Sequence, residues 1–216
     1  MIWARSLLQD VLPRLVQCII VMIALLACAT AAFSQPASAP LVLNDDRDLY
    51  VDTKPHLQFY RDPSLAEDEQ AVIGKSAEFS PIESRYIAFG LTADRIWLKW
   101  DAQNTTDMPR TFRIDAMRQY FTELKLFEIS GQGQPRLLLD HKQEDSFNDR
   151  VIPSRFLLTD VTFQPGETKT FLIGYRSSTS TFLPLAMGTA DGVYARHQSD
   201  GTVYLFLNGM LAAMII

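Results

Sequence analysis

The sequence predicts an all-β protein, an antiparallel β-sandwich for which a jelly roll is the preferred topology. Three observations support this prediction. Short runs of alternating apolar and polar residues recur roughly every ten residues over the middle of the chain. Glycine- and proline-rich turns separate these runs, and helical periodicity is almost absent between them. Strand periodicity alone does not distinguish a jelly roll from an immunoglobulin-like sandwich, so both topologies stay open at this point.

The segment 81–100 has the clearest pattern and predicts two strands that meet at a short corner. Residues 85–91 alternate in side-chain size, and one face of the second strand carries Ile96, Leu98 and Trp100. Trp97 then points to the opposite face, where a loop, a partner or a ligand must cover its indole. The sequence favours packing of Trp97 under a neighbouring loop and keeps this residue as a candidate ligand contact.

Further elements follow in chain order. A brief acidic helix is expected after Pro63, because Ser64 and Glu67 match a capping box and Gly74 can end the helix. Gly131 and Gly133 close a predicted hairpin. The remaining runs with strand character are 49–51, 56–60, 110–114, 122–129, 136–139, 155–158, 161–163, 168–175 and 182–185.

Length and charge narrow the class of protein. The chain has 216 residues and a formal net charge of −5, which suits one domain with short appendages. A basic stripe of the kind that binds nucleic acid is missing from the sequence. Its two cysteines, Cys18 and Cys28, both lie in the N-terminal apolar segment, so the predicted sandwich has no thiol for disulfides, metal or nucleophilic catalysis.

Residues 1–34 have the layout of a secretory signal peptide, with cleavage expected before Gln35 and a linker over 35–43. Arg5 and Arg14 precede an apolar run that ends in small residues. A lipoprotein box with Cys28 as the lipidated residue and an uncleaved membrane anchor are the alternatives. All three interpretations place the domain outside the cytoplasm.

The C-terminal end predicts a connection to a membrane. The sandwich is expected to cover 44–189, followed by a connector over 190–202 that starts as a helix at Ala190. Residues 203–216 are almost wholly apolar, but fourteen residues are fewer than the ~20 that a spanning helix needs. We therefore expect 203–216 to be the truncated beginning of a first transmembrane helix.

The sequence contains no pattern that predicts catalysis, a metal site or a cofactor. The three histidines, His56, His141 and His197, are isolated in sequence, and neither a metalloprotease motif nor a nucleophile elbow is present. The acidic run 44–48 lacks the glycine and spacing of a calcium loop and is interpreted as a solvated turn. We therefore predict that the chain is not an enzyme.

Ligand-binding candidates lie in or beside the predicted loops, because sandwich ligands usually meet loops at one end. These candidates, together with Trp97, are Arg118, Gln119, Tyr120 and Arg150. Arginine and aromatic side chains suit a sugar or a carboxylate, through bidentate hydrogen bonds and stacking.

The order of these parts resembles one family, the type 2 periplasmic (extracellular) domain of bacterial seven-transmembrane receptors with diverse intracellular signalling modules. The resemblance spans about residues 45–209. It rests on Phe59-Tyr60-x-Asp62-Pro63, Phe79-x-Pro81, Phe89-Gly90-Leu91-Thr92, Ile96-Trp97-Leu98-Lys99-Trp100, Asn104, Arg150, Pro165-Gly166-Glu167-Thr168 and the apolar segment from Tyr204 to Gly209. Leu91 and Ile96 stand where family members often carry tyrosine, which weakens any sugar-stacking role at those two positions.

The resemblance implies a galactose-binding-like jelly roll that precedes seven membrane helices and a cytoplasmic output domain, such as a diguanylate cyclase or a histidine kinase. We therefore expect a periplasmic sensor domain at the inner membrane that binds a small molecule, for example a carbohydrate, with a homodimer left open. A protein-interaction or structural envelope module is the main alternative. A carbohydrate-active enzyme would need two carboxylates facing each other across a cleft, and no spacing singles out such a pair.

Overall fold

Residues 38–47, 49–117 and 121–215 are described by the computed structural model of the protein, and within them eleven strands and two α-helices form a sandwich. The strands are β1 Leu41–Leu43, β2 Tyr50–Asp52, β3 Gln58–Asp62, β4 Ser80–Pro81, β5 Arg95–Asn104, β6 Arg110–Ala116, β7 Glu123–Ile129, β8 Pro135–Lys142, β9 Leu157–Phe163, β10 Thr168–Arg176 and β11 Leu185–Gly188. The helices are α1 Glu69–Gly74 and α2 Ala190–Ile215. The predicted signal segment, residues 1–34, lies outside the described residues.

Strand pairing confirms the predicted antiparallel sandwich and its jelly-roll topology. The larger sheet has the order β4-β3-β5-β10-β7-β8, with β1 parallel to the end of β5, and the smaller sheet has the order β2-β11-β6-β9. Along the chain, β7 pairs with β8, β6 with β9, β5 with β10, and β2 with β11. Each pair encloses the previous one and lies in the other sheet, so the chain is a long antiparallel hairpin rolled into two layers.

The main core lies between the two sheets and contains the predicted inward face of β5. Ile96 and Leu98 are fully buried there. Trp100 is also buried and stacks on Phe171 of β10 with ring centroids 5.1 Å apart. The alternation predicted for this strand is confirmed, because apolar side chains on one face of a strand are driven out of water together.

A second apolar cluster lies on the outer face of the larger sheet and buries Trp97, which is 3% exposed. The segment that contains α1 covers the indole with Val72 and Phe79. Gly174 of β10 lies directly opposite Trp97, and a Cβ atom at this glycine would stand 2.6 Å from the indole Cζ3. The interpretation that Trp97 packs under a neighbouring segment is confirmed.

Helix α1 starts later than the capping box predicts. Asp68 is its N-cap and accepts a hydrogen bond from the Ala71 backbone nitrogen at 2.8 Å. Ser64 instead donates to Asp62 Oδ1, within a turn built around that buried carboxylate. The prediction was wrong about the start because a short polar side chain caps equally well in a turn or a helix. The predicted end at Gly74 is confirmed.

The strand predicted over 85–91 is wrong, and the segment is irregular. The Ile87 carbonyl accepts from the Leu183 amide at 3.0 Å and the Gly90 carbonyl accepts from the Thr181 amide at 3.1 Å, without a regular ladder. Gly90 has a φ of 75°, which breaks extended backbone. The alternation of side chains persists without the strand, because Ile87 is buried while Tyr86 is exposed.

Three further boundaries differ from the predictions. The two strands predicted at 155–158 and 161–163 are the single strand β9, and the strand predicted from Phe182 begins at Leu185. The end of the predicted linker is β1, whose Leu41 and Leu43 enter the core beside β5. Each difference arises because a run of three or four residues has too little periodicity to define its own ends.

Helix α2 begins at Ala190, where the predicted connector starts, and extends through the segment predicted to begin a membrane span. Among the described residues, no helix combines the length and hydropathy required to cross a membrane.

Candidate functional site

A groove of about 320 Å³ lies between the sandwich and the first turns of α2. Its volume falls in the range of small-molecule sites, about 300 to 1,000 Å³. Its walls come from β2, the irregular segment 85–87, the approach to β11 and helix α2. The lining residues are Tyr50, Asp52, Lys54, Arg85, Tyr86, Ile87, Met117, Phe182, Pro184, Leu185, Ala186 and Arg196.

One wall of the groove is aromatic. Tyr86 and Phe182 meet edge to face with ring centroids 6.2 Å apart, and they remain 55% and 37% exposed. The Arg85 guanidinium lies 5.4 Å from the centre of the Tyr86 ring. Large aromatic side chains are usually buried, so an exposed pair inside a groove indicates a surface that binds something. Such rings can pack against the apolar C–H face of a sugar.

The polar part of the groove has an excess of positive charge. Lys54, Arg85 and Arg196 line it, against the single carboxylate of Asp52. Arg196 belongs to α2, where its Nε lies 3.4 Å from Asp200 Oδ2 one helical turn later. Because guanidinium groups recognise carboxylates and phosphates through paired hydrogen bonds, the groove favours a ligand with negative charge.

A buried polar network connects the floor of the groove to α2. The Tyr50 hydroxyl lies 2.8 Å from Met117 Sδ and 3.5 Å from Asp115 Oδ2. His197 of α2 places its Nε2 2.7 Å from the same carboxylate oxygen. Asp115 is fully buried, and its Oδ1 has no hydrogen-bond partner among the described residues.

The environment of Tyr50 keeps its phenol protonated. Burial raises the pKa of Tyr50 well above its usual range, and the nearby Asp115 carboxylate raises it further. The phenol therefore remains a hydrogen-bond donor toward Asp115 at physiological pH. A ligand that changes the position of Tyr50 changes the surroundings of the carboxylate that holds His197.

Helix α2 is attached to the sandwich at several points along its first turns. Thr189 caps the helix by accepting from the Gly192 amide at 3.1 Å, and Asp191 pairs with Arg47 at 3.0 Å. Val193 is buried one turn further on. His197, a turn beyond Val193, packs on the Phe156 ring with centroids 4.4 Å apart. These contacts place the start of α2 in a definite position against the smaller sheet.

The predicted ligand residues fall in three places. Arg118, Gln119 and Tyr120 lie outside the described residues, directly after Met117 of the groove in the chain. Trp97 is buried beneath the α1 segment, away from the groove.

Arg150 lines a second pocket, between β8 and β9. The Arg150 Nη1 donates to the Ser154 carbonyl, and its guanidinium lies 5.0 Å from the centre of the Phe147 ring. The structure therefore separates Arg150 from the groove beside α2.

Sequence reasoning missed most of the groove. The sequence predicts Tyr86 and Phe182 to lie in strands, whereas the structure places both in irregular segments, where binding residues often lie. Asp115 and Arg196 had no local signal, since nothing in their immediate sequence distinguishes them from surface charges. In the sequence His197 is only an isolated histidine, because its partner Asp115 lies 82 residues away in the chain.

Comparison with solved structures finds only weak similarity. A β-glucosidase from Kluyveromyces marxianus in complex with glucose matches with a TM-score of 0.40 and 10% identity, over 76% of this chain and 19% of that one. A Bacillus thuringiensis Cry1Da tryptic core variant matches with a TM-score of 0.33 and 11% identity, over 71% and 25% of the two chains. The family 32 carbohydrate-binding module of Streptococcus pneumoniae EndoD matches with a TM-score of 0.24 and 10% identity, over 49% and 73%.

The chain thus spans a quarter or less of the glucosidase and the Cry1Da variant. These similarities are too weak to bear on function. No curated protein matches the chain.

The family comparison is decisive, because one family model covers most of the sandwich. The model described as 7TMR-DISM extracellular 2 matches residues 54–189. This range runs from Lys54, one of the groove residues, to the residue that caps α2, Thr189. The resemblance inferred from the sequence motifs is confirmed. The chain belongs to the 7TMR-DISM extracellular 2 family, the extracellular sensor domains of 7TMR-DISM receptors.

Proposed function

We propose that this extracellular sensor domain binds a small carbohydrate with negative charge, such as a sugar acid, in the groove beside α2. The single observation that carries the proposal is the composition of the groove. It combines an exposed aromatic pair, Tyr86 and Phe182, with Arg196 from the helix that leaves the sandwich. A ligand in the groove contacts both the sandwich and α2.

The two halves of the groove suit the two chemical faces of such a ligand. The rings of Tyr86 and Phe182 offer apolar surface to the C–H face of a sugar. Arg85, Arg196 and Lys54 offer donors to hydroxyl and carboxylate oxygens.

The ligand would act on α2 by two routes. Arg196 would contact it directly, and Tyr50 would transmit its position to Asp115 and His197. A ligand shifts such an equilibrium only by the free energy with which it favours one helix position over another. Contact with both the sandwich and the helix supplies that difference.

The wider context of the chain extends the proposal. Residues 1–34 would be a signal peptide, residues 203–216 the beginning of the first transmembrane helix, and the folded domain periplasmic at the inner membrane. The output would be a cytoplasmic domain of diguanylate cyclase or histidine kinase type. Support comes from the two apolar segments of the sequence and from the receptor class named by the family.

Calorimetry with two sugars that share a ring configuration tests the ligand class. D-galacturonate should bind the purified chain, and D-galactose, which lacks the carboxylate, should bind about tenfold more weakly or not at all. Tyr86→Ala should weaken binding of galacturonate by about tenfold, since it removes the stacking surface. Tyr194→Ala is the matched control, because Tyr194 is an exposed tyrosine of α2 outside the groove.

Two results would overturn the ligand class. The first is the absence of a binding signal with either sugar. The second is an equal loss of affinity in the Tyr86 and Tyr194 variants, which would show that the groove is not the site.

A protein-interaction module is the second candidate function, and one observation favours it. Leu91 is 84% exposed and follows the same irregular segment as the exposed Tyr86. An apolar surface of this kind also suits another envelope protein. A protein-binding module would leave both sugars without effect, and Leu91→Ser would then weaken capture of the partner.

A further inference from the structure

A second pocket, distinct from the groove, lies where the chain passes from the larger sheet to the smaller one. It has a volume of about 140 Å³ and is formed by the end of β8, the start of β9 and the connecting loop 143–156. Leu139 and Leu157 give it an apolar wall that continues into the main core. The pocket is too small for a sugar chain and suits a compact molecule.

His141 brings an unsatisfied polar atom into this pocket. The side chain is only 7% exposed, and its Nε2 has no hydrogen-bond partner among the described residues. Its other ring nitrogen, Nδ1, lies 3.8 Å from Asp145 Oδ2. A buried polar atom without a partner has lost its hydrogen bonds to water, so this nitrogen has hydrogen-bonding capacity that a ligand could use.

Arg150 supplies a second unsatisfied donor from the connecting loop. Its Nη1 donates to the Ser154 carbonyl at 2.5 Å, and its guanidinium lies over the Phe147 ring. The Nε of Arg150 is buried and has no partner among the described residues. The guanidinium is thus fixed in place, with donor capacity that the protein does not use.

The pocket also contains negative charge. Asp140, Asp145 and Asp149 line it, and Asp145 Oδ2 is held in position by the Lys142 amide at 2.6 Å. The Asp140 carboxylate also lies 4.0 Å from Lys125 Nζ. The three aspartates attract a positively charged group of a ligand, and Arg150 attracts a negatively charged one. A molecule with both charges fits the arrangement.

We propose that this pocket is a second ligand site, which binds a small zwitterion such as a short-chain α-amino acid. The ligand's carboxylate pairs with Arg150 and accepts from His141, and its ammonium group faces Asp145 and Asp149. The apolar wall of Leu139 and Leu157 receives a short side chain. This site is independent of the sugar groove, since the two pockets have no residue in common.

The titration of His141 is coupled to this binding. Burial lowers the pKa of His141, and the positive charge of Arg150 lowers it further, while Asp145, Asp140 and Glu144 oppose the shift. A carboxylate bound at Arg150 offsets the positive charge and raises the pKa of His141, whereas an ammonium group at Asp145 offsets a negative charge and lowers it. These two effects of a zwitterion have opposite signs and offset each other.

Calorimetry with L-alanine and two of its single-charge fragments tests the proposal on the purified wild-type chain. L-alanine carries both charges, propionate lacks the ammonium group, and ethylamine lacks the carboxylate. L-alanine should bind at least about tenfold more tightly than either single-charge probe, because each leaves part of the site unpaired.

Two variants then assign the site. Arg150→Gln and, separately, Asp149→Asn should each weaken L-alanine binding by about tenfold or more. Arg155→Gln is the matched control, because Arg155 belongs to the same loop and lies over Phe156, outside this pocket. None of the three variants should change galacturonate binding, so a failure here is distinguishable from a failure of the groove proposal.

Three outcomes would overturn the proposal. The first is the absence of L-alanine binding to the wild-type chain. The second is equally tight binding of propionate, which would make the pocket a carboxylate site. The third is L-alanine binding that Arg150→Gln and Asp149→Asn leave unchanged, which would place the zwitterion elsewhere.

Discussion

Gly174 and Trp97 face each other across β10 and β5, and their contact decides whether the outer apolar cluster can form. The indole occupies the space that a Cβ atom would take, so glycine is required here for packing. The need for glycine at position 174 comes from this one contact, because the backbone of both strands is regular there.

Gly174→Ala should destabilise the protein by about 1 to 3 kcal/mol, because the added methyl group displaces the Trp97 ring. Gly131→Ala is the matched control. Gly131 lies in the β7–β8 turn, where a Cβ atom meets nothing within 4 Å. Chemical denaturation measures both free energies of unfolding. Equal stabilities for the two variants would contradict the packing of Trp97 against β10.

His141 gives the fold a dependence on pH. Its pKa is lowered in the folded protein from about 6.5, so the unfolded chain takes up a proton more readily as the pH falls below that value. The stability that neutral His141 contributes is therefore complete above about pH 6.5 and is lost as the pH falls through the window below it. The charged groups that act on His141 are Arg150, Asp140, Asp145 and Glu144.

The free energy of unfolding should therefore fall between about pH 7 and 5.5 more steeply in the wild type than in His141→Gln. This range avoids the carboxylates Asp62 and Glu128, whose lowered pKa values place their effects at more acidic pH. Equal slopes for the two proteins would show that His141 titrates alike in the folded and unfolded chains.

At the scale of elements, the informative contact is between α2 and the smaller sheet. Three successive features attach the helix: the Thr189 cap, the buried Val193 and the pair of His197 with Asp115. Val193 and His197 are four residues apart and share one face of the helix. The neighbouring Tyr194 is 64% exposed, and its hydroxyl accepts a hydrogen bond from Gln198 Nε2.

His197→Ala should loosen this attachment, because it leaves the buried Asp115 carboxylate without its nitrogen partner at a cost of about 1 to 3 kcal/mol. Amide hydrogens of residues 190–201 should then exchange faster with solvent, while those of β5 and β10 stay protected. Gln198→Ala, at the exposed neighbouring position, should leave exchange unchanged. If the amides of residues 190–201 exchanged as slowly in the His197 variant as in the wild type, Val193 and the Thr189 cap would be sufficient to hold α2 against the smaller sheet.

At the scale of the whole molecule, helix α2 connects the sandwich and its proposed ligand groove to the apolar segment 203–216. The groove and the attachments of the helix all precede Ser199, and the apolar half of the helix follows it. Signal transfer in this arrangement requires a continuous helix through Ser199. A flexible connection there would let the apolar part of α2 move independently of its first turns, so ligand binding could not change its position.

Insertion of a short flexible Gly/Ser segment after Ser199 in the full-length receptor should leave galacturonate affinity intact and abolish its effect on cytoplasmic output. The same insertion after Gln132, in the β7–β8 turn, should preserve both. Calorimetry and an assay of the output activity report the two properties. Ligand-dependent switching at wild-type amplitude after the Ser199 insertion would exclude rigid coupling and favour recruitment or dimerisation of the extracellular domains.

The sequence by itself determined the features that depend on local chemistry. These are the all-β class, the inward face of Ile96, Leu98 and Trp100, the hairpin turn after β7, and the start of α2 at Ala190. Alternation and turn residues act over a few positions, so their consequences can be read from a single stretch. The motifs also identified the family, because they occur in a fixed order along the chain.

Only the tertiary structure decided how distant segments meet. The nested pairing that makes the jelly roll, the groove between Tyr86, Phe182 and Arg196, and the pair of Asp115 with His197 all join residues far apart in the chain. Local periodicity contains no information about which strands become neighbours, and the alternation of residues 85–91 does not reveal that their backbone is irregular. Packing of the whole chain places these side chains together, so the two proposed ligand sites emerge only with the fold.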